Sequence, residues 1–224
     1  RGGLTGEWRA GSWQDCAALK PCPIPIPCRV FAMPSTSSDL PQPCVLVLAS
    51  GRGDRFRASG GQVHKLAAML EGRSVLEHTL AAVRASGLAW HLEDAGHPGM
   101  GDSIAAAVRA TPAAGGWLVL PGDLPLVQPD TLRKIAAALV GGAEVVAPVF
   151  AGQRGHPVGF AVALGPALAA LTGEQGASTL LRAAAQRGSL RSLPVEDCGV
   201  VTDIDTLADL QRADALLRAR RQVR

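Results

Sequence analysis

After residue 43, short apolar runs alternate with stretches of helical period. Residues 45–48, VLVL, are continuously apolar, as expected of a strand covered on both faces. In SVLEHTLAAVRASG, residues 74–87, Ser74 and Glu77 have the spacing of a capping box. Leu76, Leu80 and Val83 then share one helical face, and Gly87 is a natural stop. A second helix is predicted to begin near Asp102 or Ser103. WLVL, 117–120, reads as a strand, and PDTLRKIAAALVGG, 129–142, as a helix with a glycine stop. Strands are predicted over 144–150, 157–164 and about 190–195. Helices are predicted around 165–171 and 176–187, with a last one over about 206–221 that takes Asp205 as its N-cap.

Strands that alternate with helices predict a Rossmann-like α/β fold, three layers α/β/α around a mostly parallel sheet. Ligands of such sheets bind outside the carboxyl ends of the strands. Residues 1–43 differ in kind. The stretch KPCPIPIPCRVFAMPSTSSDLPQP is rich in Pro and Ser, has no sustained period and reads as disordered or extended. Met33 is the expected natural start, with the first 32 residues an artefactual extension. They lack the continuous apolar core of a signal peptide. The folded domain is therefore expected over 44–224.

Composition narrows the function. Aromatic residues make up 4% of the chain and Tyr is missing, so the core must be mostly Ala, Val and Leu, and stacking on nucleic-acid bases is disfavoured. A net charge of +3 is too small for a nucleic-acid footprint. No apolar run reaches the length of a membrane span. Neither nucleic acid nor membrane is expected as a partner. Cys16, Cys22, Cys28, Cys44 and Cys198 include no C-x-x-C pair, so free thiols in a reducing cytoplasm are expected.

Two loops carry chemistry, and both follow predicted strands. The first is ASGRGDRFRASGGQVHK, 49–65. It is not a P-loop, and Phe56 stands where a dinucleotide fingerprint needs its third glycine. What remains is a glycine turn that lets backbone N–H groups approach an anion, with Arg55 and Lys65 to hold phosphate oxygens. A solvated turn is the plain alternative. The second is PGDLPLV, 121–127, where Asp123 could hold Mg²⁺ against phosphates or merely cap a turn. The two loops together favour a phosphate and a metal.

LASGRGDRF…K resembles the L-A-A-G-x-G-x-R-(M)-G-x-x-K signature of the MobA-like nucleotidyltransferases. PGDLPLV resembles their metal motif at a strand end. GMGDS, 99–103, is similar to their GMG-x-S segment, and GQRGHPVGF, 152–160, to their R-G-H-P-V-x-F loop. EQGASTLL and VTDIDTLADL match later motifs, in the right order, over about residues 44–217. R-G-H-P, GMG-x-S and Ala49-Ser50 point to the molybdenum cofactor cytidylyltransferase branch, because the guanylyl branch usually reads L-A-G-G.

The resemblance implies the nucleotide-diphospho-sugar transferase type of fold and the following roles. Ala49, Ser50, Gly51 and Gly53 would line the nucleotide. Arg55 and Lys65 would hold phosphates, and Asp123 would ligate Mg²⁺; these last three are the candidate catalytic residues. Arg154 and His156 would face the acceptor, with Ser103 either joining them or capping a helix. Asp203 and Asp205 either reach a second metal or form a turn and cap. No role is expected for His64, His78, His91 or His97.

Two departures stand out. Arg55 and Lys65 are ten positions apart, wider than the family spacing, so a longer lid is expected. Residues 88–98, LAWHLEDAGHP, are short for the family, which predicts the loss of a strand at that sheet edge and altered acceptor recognition.

The reaction implied is transfer of CMP from Mg·CTP to the phosphate of molybdopterin, with release of pyrophosphate. A molybdoenzyme or its chaperone is a candidate partner. The alternatives are transfer from GTP, a sugar phosphate as acceptor, or a nucleotide-binding module without catalysis.

Overall fold

The structure is a computed structural model that describes residues 41–222. The expectations for residues 1–40, Met33 among them, lie outside the described residues. The first half runs β1 (Cys44–Leu48), α1 (Asp54–Ala58), β2 (Met69–Leu70), β3 (Arg73–Ser74), α2 (Val75–Ser86), β4 (Ala89–Glu93) and α3 (Met100–Ala110). It continues with β5 (Gly116–Pro121), α4 (Pro129–Val140), β6 (Val145–Phe150), β7 (Gln153–Arg154) and β8 (Val158–Ala161). The last elements are α5 (Gly165–Ala169), α6 (Ser178–Gln186), β9 (Leu190–Pro194) and α7 (Leu207–Gln222).

The main sheet has the order β4-β1-β5-β8-β6-β7, and β9 pairs with β6. β1 is parallel to both β4 and β5, and β9 is parallel to β6. β8 runs antiparallel between β5 and β6. Side chains of a strand alternate between faces, and β1 shows the consequence. Val45 and Val47 join Leu80 and Val83 of α2 and Leu132 and Ile135 of α4 in one core layer. Leu46 and Leu48 join Ile104 and Val108 of α3, Leu168 of α5 and Ala184 of α6 in the other. Each buried Leu or Val contributes about 1.5–3 kcal/mol. The expected three-layer, mostly parallel architecture is therefore the observed one.

Residues 88–98 do supply a strand. Trp90 to Glu93 pair in register with Val45 to Leu48, and β4 forms the sheet edge. The shortened segment thus keeps one strand, an edge strand of five residues. The capping box of Ser74 and Glu77 is present at α2, and Gly87 ends that helix in the left-handed region at φ 74°. The cap of α7 differs from expectation. Thr206 Oγ accepts from Asp209 N, and Asp209 Oδ2 accepts from Thr206 N at 2.8 Å. Thr206 therefore caps the helix, because the carboxylate of Asp205 is engaged elsewhere.

Three strand ends position the site. Leu48 is in register with Glu93 on one side and Pro121 on the other. The loops that follow β1, β4 and β5 therefore leave the sheet side by side.

Candidate active site

The turn after β1 is pinned from both sides. Ala49 N donates to Glu93 O at 2.8 Å, and Gly122 N donates to Leu48 O at 2.8 Å. Gly53 then sits at φ 69°, ψ 26°, a conformation that glycine adopts without steric cost, and leads into α1. α1 has one buried residue, Phe56, which packs with Leu66, Leu70 and Val75 and with Leu126 and Ile204 from distant segments. This satellite core anchors the lid that the long Arg55–Lys65 spacing predicts. Ser59 ties it to α7: its hydroxyl donates to Phe56 O at 2.8 Å and accepts from Leu207 N at 3.0 Å.

Lys65 returns from the lid to the strand ends. Its Nζ lies 2.6 Å from Asp123 Oδ2 and 2.9 Å from Asp205 Oδ1. Arg55 Nη1 lies 2.6 Å from Asp205 Oδ2. The side chains of Lys65, Asp123 and Asp205 are 14%, 12% and 19% exposed, so this cluster is screened far less than a surface pair. Burial works against the Lys65 ammonium, but the charges and hydrogen bonds of Asp123 and Asp205 outweigh it and hold its pKa above the ordinary value. A long loop thus places three of the candidate residues, Arg55, Lys65 and Asp123, in one ion-pair network.

Asp123 leaves one oxygen spare. Oδ1 is buried and has no hydrogen-bond partner, although Oδ2 is paired. A buried carboxylate oxygen without a partner is costly, and a divalent cation that takes one or two carboxylates plus phosphate oxygens would satisfy it. Among the described residues no group of three or more His, Cys, Asp and Glu could hold a metal unaided. The donor set fits a metal that arrives with phosphates.

The cleft beside this network is lined by Ser50, Gly51, Lys65, Asp123, Ser103 and His97, among others. Ser50 Oγ and Ser103 Oγ are 2.5 Å apart. Ser103 does not cap α3: the helix starts at Met100 with Gly99 as N-cap, and Ser103 Oγ bonds back to Gly99 O at 3.1 Å. The structure therefore brings Ser103 to the glycine turn. Arg154 is exposed on β7 and lies outside the residues lining this cleft. His156 follows it on the way to β8, and its N donates to Val200 O at 2.9 Å. Protein packed around the His156 ring lowers its pKa, against the opposing charges of Asp123 and Asp203. That opposition links His156 electrostatically to the acidic end of the site. Asp203 has its own pKa raised, first by desolvation and then by Asp123, Asp205 and Asp209.

Two participants, His64 and His97, carry no sequence-derived role, and a third, Asp205, carries a different one. Asp205 is read from sequence as a cap or metal ligand, yet it clamps Arg55 and Lys65. His64 braces the glycine turn, with Nε2 2.7 Å from Gly51 O and Nδ1 accepting from Leu66 N at 3.3 Å. His97 lines the cleft and contacts Glu93. Position was the available signal: His64 sits inside the loop 49–65, His97 lies two residues before the GMGDS segment, and Asp205 lies inside VTDIDTLADL.

Residues 81–191 match the family described as the MobA-like NTP transferase domain. Over that stretch the chain is similar to MobA-like NTP transferase domains. The bifunctional protein GlmU of Xanthobacter autotrophicus is 33% identical over 168 residues, which cover 62% of this chain and 36% of that protein. The chain spans about a third of the length of the curated relatives it matches. Among solved structures, Rv0371c from Mycobacterium tuberculosis H37Rv in complex with manganese superposes with a TM-score of 0.62 at 25% identity. That match covers 78% of this chain and 98% of Rv0371c. Molybdopterin-guanine dinucleotide biosynthesis protein A from Archaeoglobus fulgidus shares the fold of the MobA-like domain, with a TM-score of 0.52 at 19% identity over 79% of this chain and 99% of that one. No helix among the described residues is long and apolar enough to cross a membrane.

Proposed function

We propose that this domain transfers CMP from magnesium-bound CTP to the phosphate of a molybdopterin-type acceptor and releases pyrophosphate. The observation that carries the reading is the bridge of Lys65 Nζ between Asp123 and Asp205 at the mouth of the glycine turn. It puts a fixed cation, a carboxylate with a spare oxygen and a phosphate-accommodating backbone at adjacent strand ends. CTP and the pterin rest on Ala49-Ser50 and on the GMGDS and RGHP segments.

The acceptor phosphate has a second pKa of about 6, so it is already a nucleophile near neutral pH and needs no general base. Its oxygen bonds to the α-phosphorus of CTP as the bond to the bridging oxygen breaks, and pyrophosphate leaves with that electron pair. Catalysis is then in-line positioning plus charge neutralisation. Lys65 and Arg55 supply fixed cations to the triphosphate, and the turn at Ser50, Gly51 and Gly53 supplies backbone approach. Arg154 and His156 hold the acceptor. Asp123 would hold magnesium through Oδ1, and the bound ion would neutralise phosphate charge. The product would pass to a cytoplasmic molybdoenzyme or its chaperone.

Likeness to GlmU favours a second reading, with a sugar phosphate as acceptor. Pyrophosphate release should be measured with each of the four NTPs, Mg²⁺ and either molybdopterin or a hexose 1-phosphate. The proposal expects release that needs both CTP and molybdopterin. Release with the sugar phosphate alone would install the second reading, and release with GTP in place of CTP would move the domain to the guanylyl branch.

A further inference from the structure

Strand β4 ends in an acidic side chain that the reaction above does not use. The side chain of Glu93 is only 10% exposed, and three groups surround its carboxylate. His97 Nε2 lies 3.0 Å from Oε1, His91 Nε2 lies 3.4 Å from Oε2, and Ala95 N donates to Oε1 at 3.3 Å. A buried carboxylate is costly unless it is paired and hydrogen-bonded, and these contacts supply the pairing. Burial alone would raise its pKa, but the bonds from His97, His91 and Ala95 prevail and hold it below the ordinary value. Glu93 is therefore an acceptor on every side.

This fixes the ring of His97. A carboxylate can only accept, so the hydrogen of the neutral imidazole must sit on Nε2. Nδ1 is left as a bare acceptor, and it makes no hydrogen bond among the described residues. His97 lines the same cleft as Ser50, Ser103 and Asp123. It follows β4, whereas Asp123 follows β5, and β1 lies between the two strands. Two strand spacings of about 4.8 Å separate the loops by roughly 10 Å. Phosphates held at Lys65 and Asp123 would leave the β4 side of the cleft to the other end of the nucleotide. Exposed Met100 and Pro98 add apolar surface there.

We propose that His97 reads the base of the donor nucleotide, with Nδ1 accepting a hydrogen from an exocyclic amino group and Glu93 and His91 acting as positioning residues. The inference rests on the nucleotide-donor reading of this cleft. It selects cytosine over uracil. The two rings match in size, but uracil carries an oxo group in place of the amino group and would set a lone pair against Nδ1.

The test is equilibrium binding of Mg·CTP and Mg·UTP, without any acceptor, to the full chain and to His97→Ala and Glu93→Gln. Wild type should prefer CTP by about tenfold or more, the usual effect of losing one hydrogen bond and leaving its partner unpaired. His97→Ala should reduce the ratio to about one, mainly through weaker CTP binding. In Glu93→Gln the amide can donate to Nε2, which frees the proton for Nδ1 and shifts the ratio towards UTP. A merely structural role would weaken both nucleotides alike. An unchanged ratio in His97→Ala, an equal loss of both nucleotides, or equal binding of CTP and UTP by wild type would each overturn the inference and leave the proposed reaction standing. Binding of neither nucleotide by wild type would overturn the proposed reaction, and this inference with it.

Discussion

Lys65 and Asp123 meet at 2.6 Å although they belong to different loops, one returning from the lid and the other leaving β5. Asp205 completes the contact from the chain just ahead of α7. The lid, the carboxylate of Asp123 and the start of α7 are therefore coupled through one ammonium group.

That coupling makes Lys65→Ala a double lesion. It removes the cation proposed to hold phosphate and leaves Asp123 and Asp205 facing each other with less compensation. Stability should fall by about 1–3 kcal/mol, the scale for stranding a buried charged partner. The nucleotidyl-transfer rate should fall by about 10²–10³ or more. Urea denaturation and initial rates at saturating CTP check the two halves separately.

Asp123→Ala should separate them. The residue stands at a strand end outside both core layers, and the bond from Ile204 N to its carbonyl, 3.1 Å, survives the substitution. The fold should persist while turnover drops by about 10²–10³ or more at saturating Mg²⁺. A wild-type rate in this variant would remove the metal role from Asp123.

Arg154→Ala and His156→Ala should act on the acceptor. Loss of one charge-assisted hydrogen bond costs about 1.5–3 kcal/mol, roughly 10- to 100-fold in kcat/KM for the acceptor. Affinity for Mg·CTP without acceptor should barely change. Loss of CTP binding in both variants would assign their loop to the nucleotide side.

Gly101→Ala tests how α3 is docked. An added Cβ would lie 2.6 Å from the carbonyl oxygen of Thr172, and Gly101 N already donates to Gly173 O at 2.8 Å. Backbone cannot yield as a side-chain tip can. Overpacking of this kind costs about 1–3 kcal/mol, which a lowered denaturation midpoint would show. The same contact carries Glu174 to the cleft, so nucleotide affinity should fall with stability.

The acid limb of the stability curve should depend on Glu93. Its pKa is lower in the fold than in the unfolded chain, so its contribution is complete above the unfolded value and is lost as pH falls through the folded value. Glu93→Gln should be less stable than wild type near neutral pH, and the difference should shrink on acidification to about pH 3. A difference that stays constant with pH would show that shape rather than charge matters at this position.

Local features were legible in the sequence and long-range partners were not. The bounds of α2 follow from Ser74, Glu77 and Gly87, which act within one turn of the helix ends. The strand character of β8 was plain from its apolar run, but an apolar run does not encode direction, and β8 is antiparallel. α1 was hidden because five residues with a single apolar side chain make no pattern; Phe56 holds it through Leu126 and Ile204. Asp205 read as a cap because its local setting allows one. Its partners Arg55 and Lys65 lie far away in sequence, and only the folded sheet brings them to it.

The most direct test of the account follows the nucleotidyl group itself. CTP labelled with ³²P at the α-phosphate should be incubated with the protein, Mg²⁺ and molybdopterin, and the pterin product separated from free nucleotide. The account predicts label in the pterin fraction in step with pyrophosphate release, and none when Asp123 is replaced by alanine. Pyrophosphate release with the label confined to free CMP, or label transferred equally well by the Asp123→Ala protein, would contradict it.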